Sequence, residues 1–201
     1  MIGISPEPSP LPPADLAKRK PQEVNLLAND ILHRFFSAAY NPLYFDRGRD
    51  GRLNAPDDGY GVLYVAKEAS GAFAETFLRN PGPTLLPTDL LARKAYVTLK
   101  VLQPLKLAKM AGPGLAQIGA TAQVVHGGKP YDSPQAWSKA LYEHPEQFDG
   151  IAYNARHDDT DLCYAIFDRA AGAVLEATRE TNLDQNWFWD LADIYGVGLA
   201  P

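Results

Sequence analysis

The chain has 201 residues, 46% hydrophobic and 21% charged, enough to bury a substantial core and in the range of one globular domain. A formal net charge of −5 and an isoelectric point near 5.3 argue against a large basic face of the kind that neutralises phosphate backbones or anionic lipid, so neither nucleic acid nor a membrane is an expected partner. Cys163 is the only cysteine, which excludes an intramolecular disulfide and a cysteine-based metal cluster and fits a reducing compartment.

Residues 1–25 are proline-rich and then basic (Pro6, Pro8, Pro10, Pro12, Pro13, followed by Lys18, Arg19 and Lys20), a composition that buries too little apolar surface to offset ordering, and they read as a loose arm before a domain spanning 26–201. Met1 to Pro13 carries neither the basic start nor the apolar run of a signal peptide. No stretch approaches the roughly 18 apolar residues of a membrane span, so the cytoplasm is the expected location. Leu32 to Phe36 reads as a strand, and Asn41 to Tyr60 as a functional loop, because a long unstructured connection in a compact domain usually has a task. Gly61 to Ala66 is a strand by its β-branched and aromatic content, with Tyr64 on the face opposite Leu63 and Val65. Ala69, Ala72, Phe73, Thr76 and Phe77 recur at helical spacing, leaving Glu75 at the edge of the apolar stripe, where it can face a cleft.

Thr88 to Arg93 reads as a short helix and Ala95 to Leu102 as a strand that ends before Pro104. Gly112 to Gly128, rich in glycine and alanine, reads as loop; its Gly112-Pro113-Gly114 lacks the lysine and hydroxyl residue of a phosphate loop. Ser133 followed by Pro134 predicts an N-cap and first helical position, with the helix ending near Pro145. Strands are expected at Gly150 to Asn154, Leu162 to Asp168 and Val174 to Thr178, with Arg156 to Asp161 a polar connector. A final aromatic helix runs from Leu183 to Tyr195, its Trp187-Phe188-Trp189 cluster serving the core. The pattern is α+β: a mixed sheet with peripheral helices in one domain, without internal repeats.

Four residues stand out together: Arg34, Arg52, Tyr64 and Glu75. Cleavage of NAD⁺ calls for a guanidinium on the pyrophosphate, an aromatic face for the flat cationic nicotinamide, and a carboxylate where positive charge develops on the ribose. Each of the four taken singly has an ordinary explanation, a surface charge or a packed ring; the inference rests on the set. His157, among charged loop residues, and His126, beside Gly127-Gly128, are expected to be a solvated side chain and a turn residue rather than metal ligands.

His33-Arg34-Phe35, Gly51-Arg52-Leu53-Asn54, Leu63-Tyr64-Val65-Ala66 and Ala74-Glu75, in this order and spacing, resemble the amino-terminal half of the RES domain, named for an arginine, a glutamate and a serine. Asp149 to Asp158 and Cys163 to Arg169 resemble its carboxy-terminal half. The chain departs from the family pattern at Ala155, where the family has its serine, and at Phe35, where it has a tyrosine; each change removes a hydroxyl, and Asn154 or His157 is placed in sequence to compensate for the first. The resemblance implies an ADP-ribosyltransferase-like fold and the toxin of a toxin–antitoxin pair, cleaving NAD⁺ at the nicotinamide–ribose bond by phosphorolysis or hydrolysis. Alternatives are a mono-ADP-ribosyltransferase acting on a protein and a non-catalytic RES-like binding module. NAD⁺ is then a substrate rather than a resident cofactor and no metal is needed. The implied partners are NAD⁺, phosphate, and an antitoxin with a helix-turn-helix DNA-binding region. Glu75 and Arg34 are the expected catalytic residues, and Arg52, Tyr64, Phe35, Asn154 and Ala155 the expected substrate-binding ones.

Overall fold

The computed structural model describes residues 9–78 and 85–200. Its elements are β1 (Glu23–Leu26), β2 (Ile31–Ser37), β3 (Val62–Ala66), α1 (Ala69–Phe77), β4 (Leu85–Leu86), α2 (Thr88–Ala92), β5 (Lys94–Val101) and β6 (Leu105–Lys109). There follow α3 (Pro113–Ile118), α4 (Ala122–His126), α5 (Asp132–Tyr142), β7 (Gly150–Ala155), β8 (Asp158–Phe167), β9 (Val174–Glu180), α6 (Asn186–Ile194) and β10 (Gly198–Leu199). The main sheet has the order β1-β6-β7-β8-β3-β2-β5-β9, and β10 with β4 makes a small parallel pair. Only β6 and β7 run parallel in the main sheet; its other neighbours are antiparallel. This is the expected α+β mixed sheet.

Period-two alternation gives the sheet two buried faces. Leu32, Leu63, Val97, Leu99 and Ile166 fill one. Phe35, Phe73, Trp137, Phe148, Phe167 and Phe188 fill the other, the face on which α1, α5 and α6 lie. Phe188 is fully buried and Trp187 stacks on Phe35 with ring centroids 6.2 Å apart, so the terminal aromatic cluster serves packing, as its helical setting implies.

One seam of the sheet is open. β2 pairs with β5 from Ile31 to Ser37 and β3 with β8 from Val62 to Ala66, yet β2 and β3 meet only at His33 and Ala66. The 38–60 loop takes the place of further pairing: Asp46 exchanges both backbone hydrogen bonds with Val62 at 2.9 Å. β2 and β3 therefore diverge beyond His33, and a cavity forms in the divergence.

Several expectations are corrected. Residues 9–25 do not form a loose arm: Leu16 is buried, β1 pairs with β6, and the carbonyl of Pro10 accepts hydrogen bonds from Trp137 Nε1 at 2.7 Å and Ser133 Oγ at 2.9 Å. Residues 1–8 lie outside the described residues. Ser133 is thereby spent on the amino-terminal segment and is no N-cap; α5 starts at Asp132 after Tyr131. The stretch 112–128 contains two short helices instead of a loop. Pro113 at the first helical position and Gly119 in the left-handed region at φ 83° frame α3, start and stop signals that the glycine-rich composition concealed.

The expected connector from Arg156 to Asp161 shrinks to Arg156 and His157, because β8 begins at Asp158 and pairs back to Ala155 across a register shift. Ladder hydrogen bonds come from the backbone, so polar side chains at Asp158 to Asp161 do not prevent pairing. The last helix starts at Asn186, three residues later than its apolar content suggested.

Candidate active site

A cavity of about 900 Å³ occupies the opening between β2 and β3, and its walls include Arg34, Phe35, Arg52, Tyr64 and Glu75. The four residues singled out by their chemistry, which come from a strand, a loop, a second strand and a helix, thus share one cleft.

Arg34 lies on the face of β2 that carries Leu32 and Phe36, opposite Val97 of β5. Desolvation there lowers its pKa from the ordinary 12.5 to about 10, partly opposed by Asp46. Its Nη1 is buried and makes no hydrogen bond among the described residues. A buried donor left unsatisfied costs about 1–3 kcal/mol, more when charged, which is hard to account for unless something else bonds it.

Arg52 is held differently. Its Nη1 donates to the Val125 carbonyl at 2.8 Å and its Nε to that of Gly127 at 3.2 Å, while its guanidinium carbon lies 5.6 Å from the centroid of the Tyr131 ring. These tethers fix the cation in place and bind the carboxy-terminal end of α4 to the 38–60 loop.

Tyr64 extends from β3 on the face opposite Leu63 and Val65. Its hydroxyl donates to Asn54 Oδ1 at 2.8 Å and accepts from the Leu53 N–H at 2.9 Å. Burial raises its pKa, the Leu53 hydrogen bond acting against it, so the ring is neutral and fixed. Asn54, fully buried, completes this support by donating from Nδ2 to Asp46 Oδ2 at 2.9 Å and to the Gly48 carbonyl at 2.7 Å. A Cβ on Gly51 would sit 2.2 Å from Asn54 Oδ1, which explains the glycine three residues before it.

Glu75 stands in the last turn of α1, where a carboxylate opposes the helix dipole by about 0.3–1 kcal/mol, so helix stability does not explain it. Its Oε1 accepts the backbone N–H of Arg156 at 2.7 Å, which ties the helix to the turn between β7 and β8. Arg156 and His157 line the cavity beside it, and Nε2 of His157 is buried without a hydrogen bond among the described residues. His157 is therefore part of the cleft wall and not the solvated side chain expected. His126 carries an equally unbonded buried Nδ1, and its pKa is lowered, first by desolvation and then by Arg52.

Three expected binding residues are placed otherwise. The Phe35 ring is committed to an aromatic cluster with Phe77, Tyr96 and Phe188, at centroid distances of 5.1, 5.0 and 5.9 Å, and is 6% exposed; it borders the cavity as part of the core. Asn154 turns to its own hairpin, donating to the Asp159 carbonyl, and Ala155 is sealed in the core at 0% exposure; neither is among the cavity's walls. The register shift at Asn154 and Ala155 has no counterpart in alternation and could not be read beforehand.

Sequence reasoning gave no role to Asp46 or Asn54, to Arg156 as a cavity residue, or to Tyr40 and Tyr44. Asn54 and Arg156 left a signal, inside the Gly51-Arg52-Leu53-Asn54 and Asp149 to Asp158 runs, and Tyr44 and Asp46 lay in the loop read as functional. Among the lining charges, Lys129 is neutralised by Asp50 at 2.9 Å. Arg34, Arg52 and Arg156 then face Asp46 and Glu75, a local cationic balance within a chain of net charge −5. Such a cleft favours an anionic ligand. No group of three histidine, cysteine, aspartate or glutamate side chains among the described residues is placed to hold a metal ion, and no described helix is long and apolar enough to cross a membrane.

Among solved structures, the chain is similar in fold to one from the crystal structure of the M. tuberculosis MbcT–MbcA toxin–antitoxin complex, with a TM-score of 0.66, 14% identity, and coverage of 84% of this chain and 92% of that one. No curated protein matches the sequence. The family model of the RES domain matches residues 21–190, and the chain belongs to that family.

Proposed function

We propose that the protein cleaves NAD⁺ between nicotinamide and ribose and acts as the toxin of a toxin–antitoxin pair. The observation that carries this reading is Arg34: a desolvated cation with an unbonded buried Nη1, in one cleft with two further arginines and a carboxylate. A pyrophosphate oxygen on Nη1 satisfies the donor and neutralises the charge at once. Membership of the RES family and the likeness in fold to a component of a toxin–antitoxin complex support the biological role, in which an antitoxin protein is the expected partner.

In this reading Arg34 and Arg52 bind the pyrophosphate or an acceptor phosphate, and the fixed ring of Tyr64 holds the nicotinamide. The bond between ribose C1′ and the nicotinamide nitrogen breaks with its electron pair leaving on nitrogen. Positive charge grows on C1′ and its ring oxygen, and Glu75 stabilises it more in the transition state than in the ground state. An oxygen of phosphate or water then bonds to C1′, a water losing its proton to solvent or to a basic side chain.

The test is incubation of the purified protein with NAD⁺, with and without phosphate, following nicotinamide and the sugar product by chromatography and mass. Nicotinamide release supports the reading, and a phosphorylated ADP-ribose in the presence of phosphate identifies phosphorolysis. ADP-ribose attached to a protein in place of a small product moves the assignment to transfer, and no release under any condition refutes cleavage.

A further inference from the structure

We infer that Tyr40 and Tyr44 form a stacking site for a purine base at the mouth of the cleft, so that the enzyme selects a dinucleotide over a nicotinamide mononucleotide. The inference rests on the proposed cleavage of NAD⁺ and extends it to residues outside the four that carry the chemistry.

Tyr40 is 70% exposed and Tyr44 54% exposed, and both line the cavity. The other aromatic side chains of the wall are occupied. Phe35 is in the core cluster, the Tyr64 ring, held by its hydroxyl, is assigned to the nicotinamide, Tyr153 is buried, and Tyr131 has Arg52 and Lys129 at 5.6 and 5.7 Å from its ring centroid. Among the described residues no ring–ring or cation–ring contact involves Tyr40 or Tyr44. Their backbone, in contrast, is fixed. The Tyr40 N–H donates to the Ser37 carbonyl at 3.0 Å and that of Tyr44 to the Asn41 carbonyl at 3.1 Å. Asn41 Oδ1 accepts the Leu43 N–H at 2.8 Å, and two residues beyond Tyr44 the Asp46–Val62 bridge anchors the loop to β3.

Two unoccupied aromatic faces on a pinned turn lose little conformational freedom when a flat ring is laid on them. NAD⁺ has two flat rings. The nicotinamide belongs in the interior, where Glu75 acts on its bond to ribose. That leaves the adenine, joined through the pyrophosphate, for the solvent-facing rim. Stacking of a base on an aromatic side chain is tolerant of hydroxyl position and depends on the ring.

The test compares the wild type with Tyr40→Ala, Tyr44→Ala, and the double Tyr40→Phe/Tyr44→Phe variant, using titration calorimetry with ADP-ribose and nicotinamide release from NAD⁺ and from nicotinamide mononucleotide. The expected result is ADP-ribose affinity about tenfold lower in at least one alanine variant and kept in the phenylalanine variant, since one stacked base is worth about 1–3 kcal/mol. KM for NAD⁺ rises in step with kcat little changed, and the wild type prefers NAD⁺ over the mononucleotide. Equal ADP-ribose affinity in wild type and both alanine variants overturns the inference, as does a wild type that cleaves both substrates with the same kcat/KM. A wild type that releases no nicotinamide refutes the proposed function alone, because the ADP-ribose affinities still decide for or against the tyrosines; a wild type that does not bind ADP-ribose overturns the stacking site.

Discussion

Oε1 of Glu75 accepts the backbone N–H of Arg156 at 2.7 Å, joining the last turn of α1 to the β7–β8 turn across the cleft. The contact engages one carboxylate oxygen as a charge-assisted acceptor, a place that a neutral amide oxygen can take with a weaker bond. Glu75→Gln keeps an acceptor for Arg156 while removing the negative charge, so the hairpin stays in place and the electrostatic stabilisation is lost. The expected outcome is a thermal midpoint within a few degrees of the wild type and nicotinamide release lower by roughly 10²–10³-fold, the usual effect of deleting one transition-state stabiliser. Circular dichroism melts and steady-state rates measure both; undiminished turnover removes Glu75 from the mechanism.

Asn54 couples the cleft to the fold through three side-chain hydrogen bonds, with Tyr64, Asp46 and Gly48, and fills the space that a Cβ on Gly51 would need. Asn54→Ala leaves the Tyr64 hydroxyl without its acceptor in a buried setting and the half-buried Asp46 carboxylate one donor short. A loss of about 2–4 kcal/mol is expected, or on the order of 10 °C in melting temperature for a chain of this size. Gly51→Ala displaces the same side chain and should lower the melting temperature in the same direction. Melting temperatures matching the wild type in both variants would mean that Tyr64 is held by something other than Asn54.

What the sequence made legible follows from locality. Alternation placed Tyr64 against Leu63 and Val65, and helical phase placed Glu75 at the edge of the Ala72–Phe73 stripe, because both depend on residues a few positions apart. The open seam between β2 and β3 depends on His33 meeting Ala66 and on Asp46 bonding to Val62, pairings between distant segments with no local signature. The amino-terminal segment misled for the same reason: its composition is that of a loose arm, yet Leu16 and the Pro10 carbonyl find partners more than a hundred residues away. Ala155 was visible as a departure from the family's serine, but its burial beneath the hairpin was not.

Acid should weaken the fold through His33 and His126. Burial lowers both pKa values from the ordinary 6.5, with Glu68 acting in the opposite direction at His33 and Arg52 reinforcing the effect at His126. The unfolded chain therefore binds more protons than the folded one just below pH 6.5. The stability these neutral rings contribute is full above that value and declines as pH falls below it toward the folded-state pKa values. Melting temperatures between pH 7.5 and 5 should decrease, and a His33→Gln/His126→Gln variant should show a shallower decrease. An identical slope in the variant would assign acid sensitivity to other groups.

Arg34 sets stability against function. Desolvation lowers its pKa from the ordinary 12.5 to about 10, so at neutral pH the buried, charged guanidinium is a net cost to the fold. Arg34→Met replaces the charge and the unbonded Nη1 with an apolar chain of similar length. The ligand-free protein should gain about 1–3 kcal/mol, a rise of roughly 2–10 °C in melting temperature, and lose NAD⁺ turnover. Saturating ADP-ribose should stabilise the wild type by RT ln(1 + [L]/Kd), and so raise its melting temperature, and leave the variant unmoved. A variant that melts lower than the wild type and still responds to ADP-ribose would show that Arg34 holds the fold together; the opposite pair of results marks it as a cation kept unpaired for an anionic ligand.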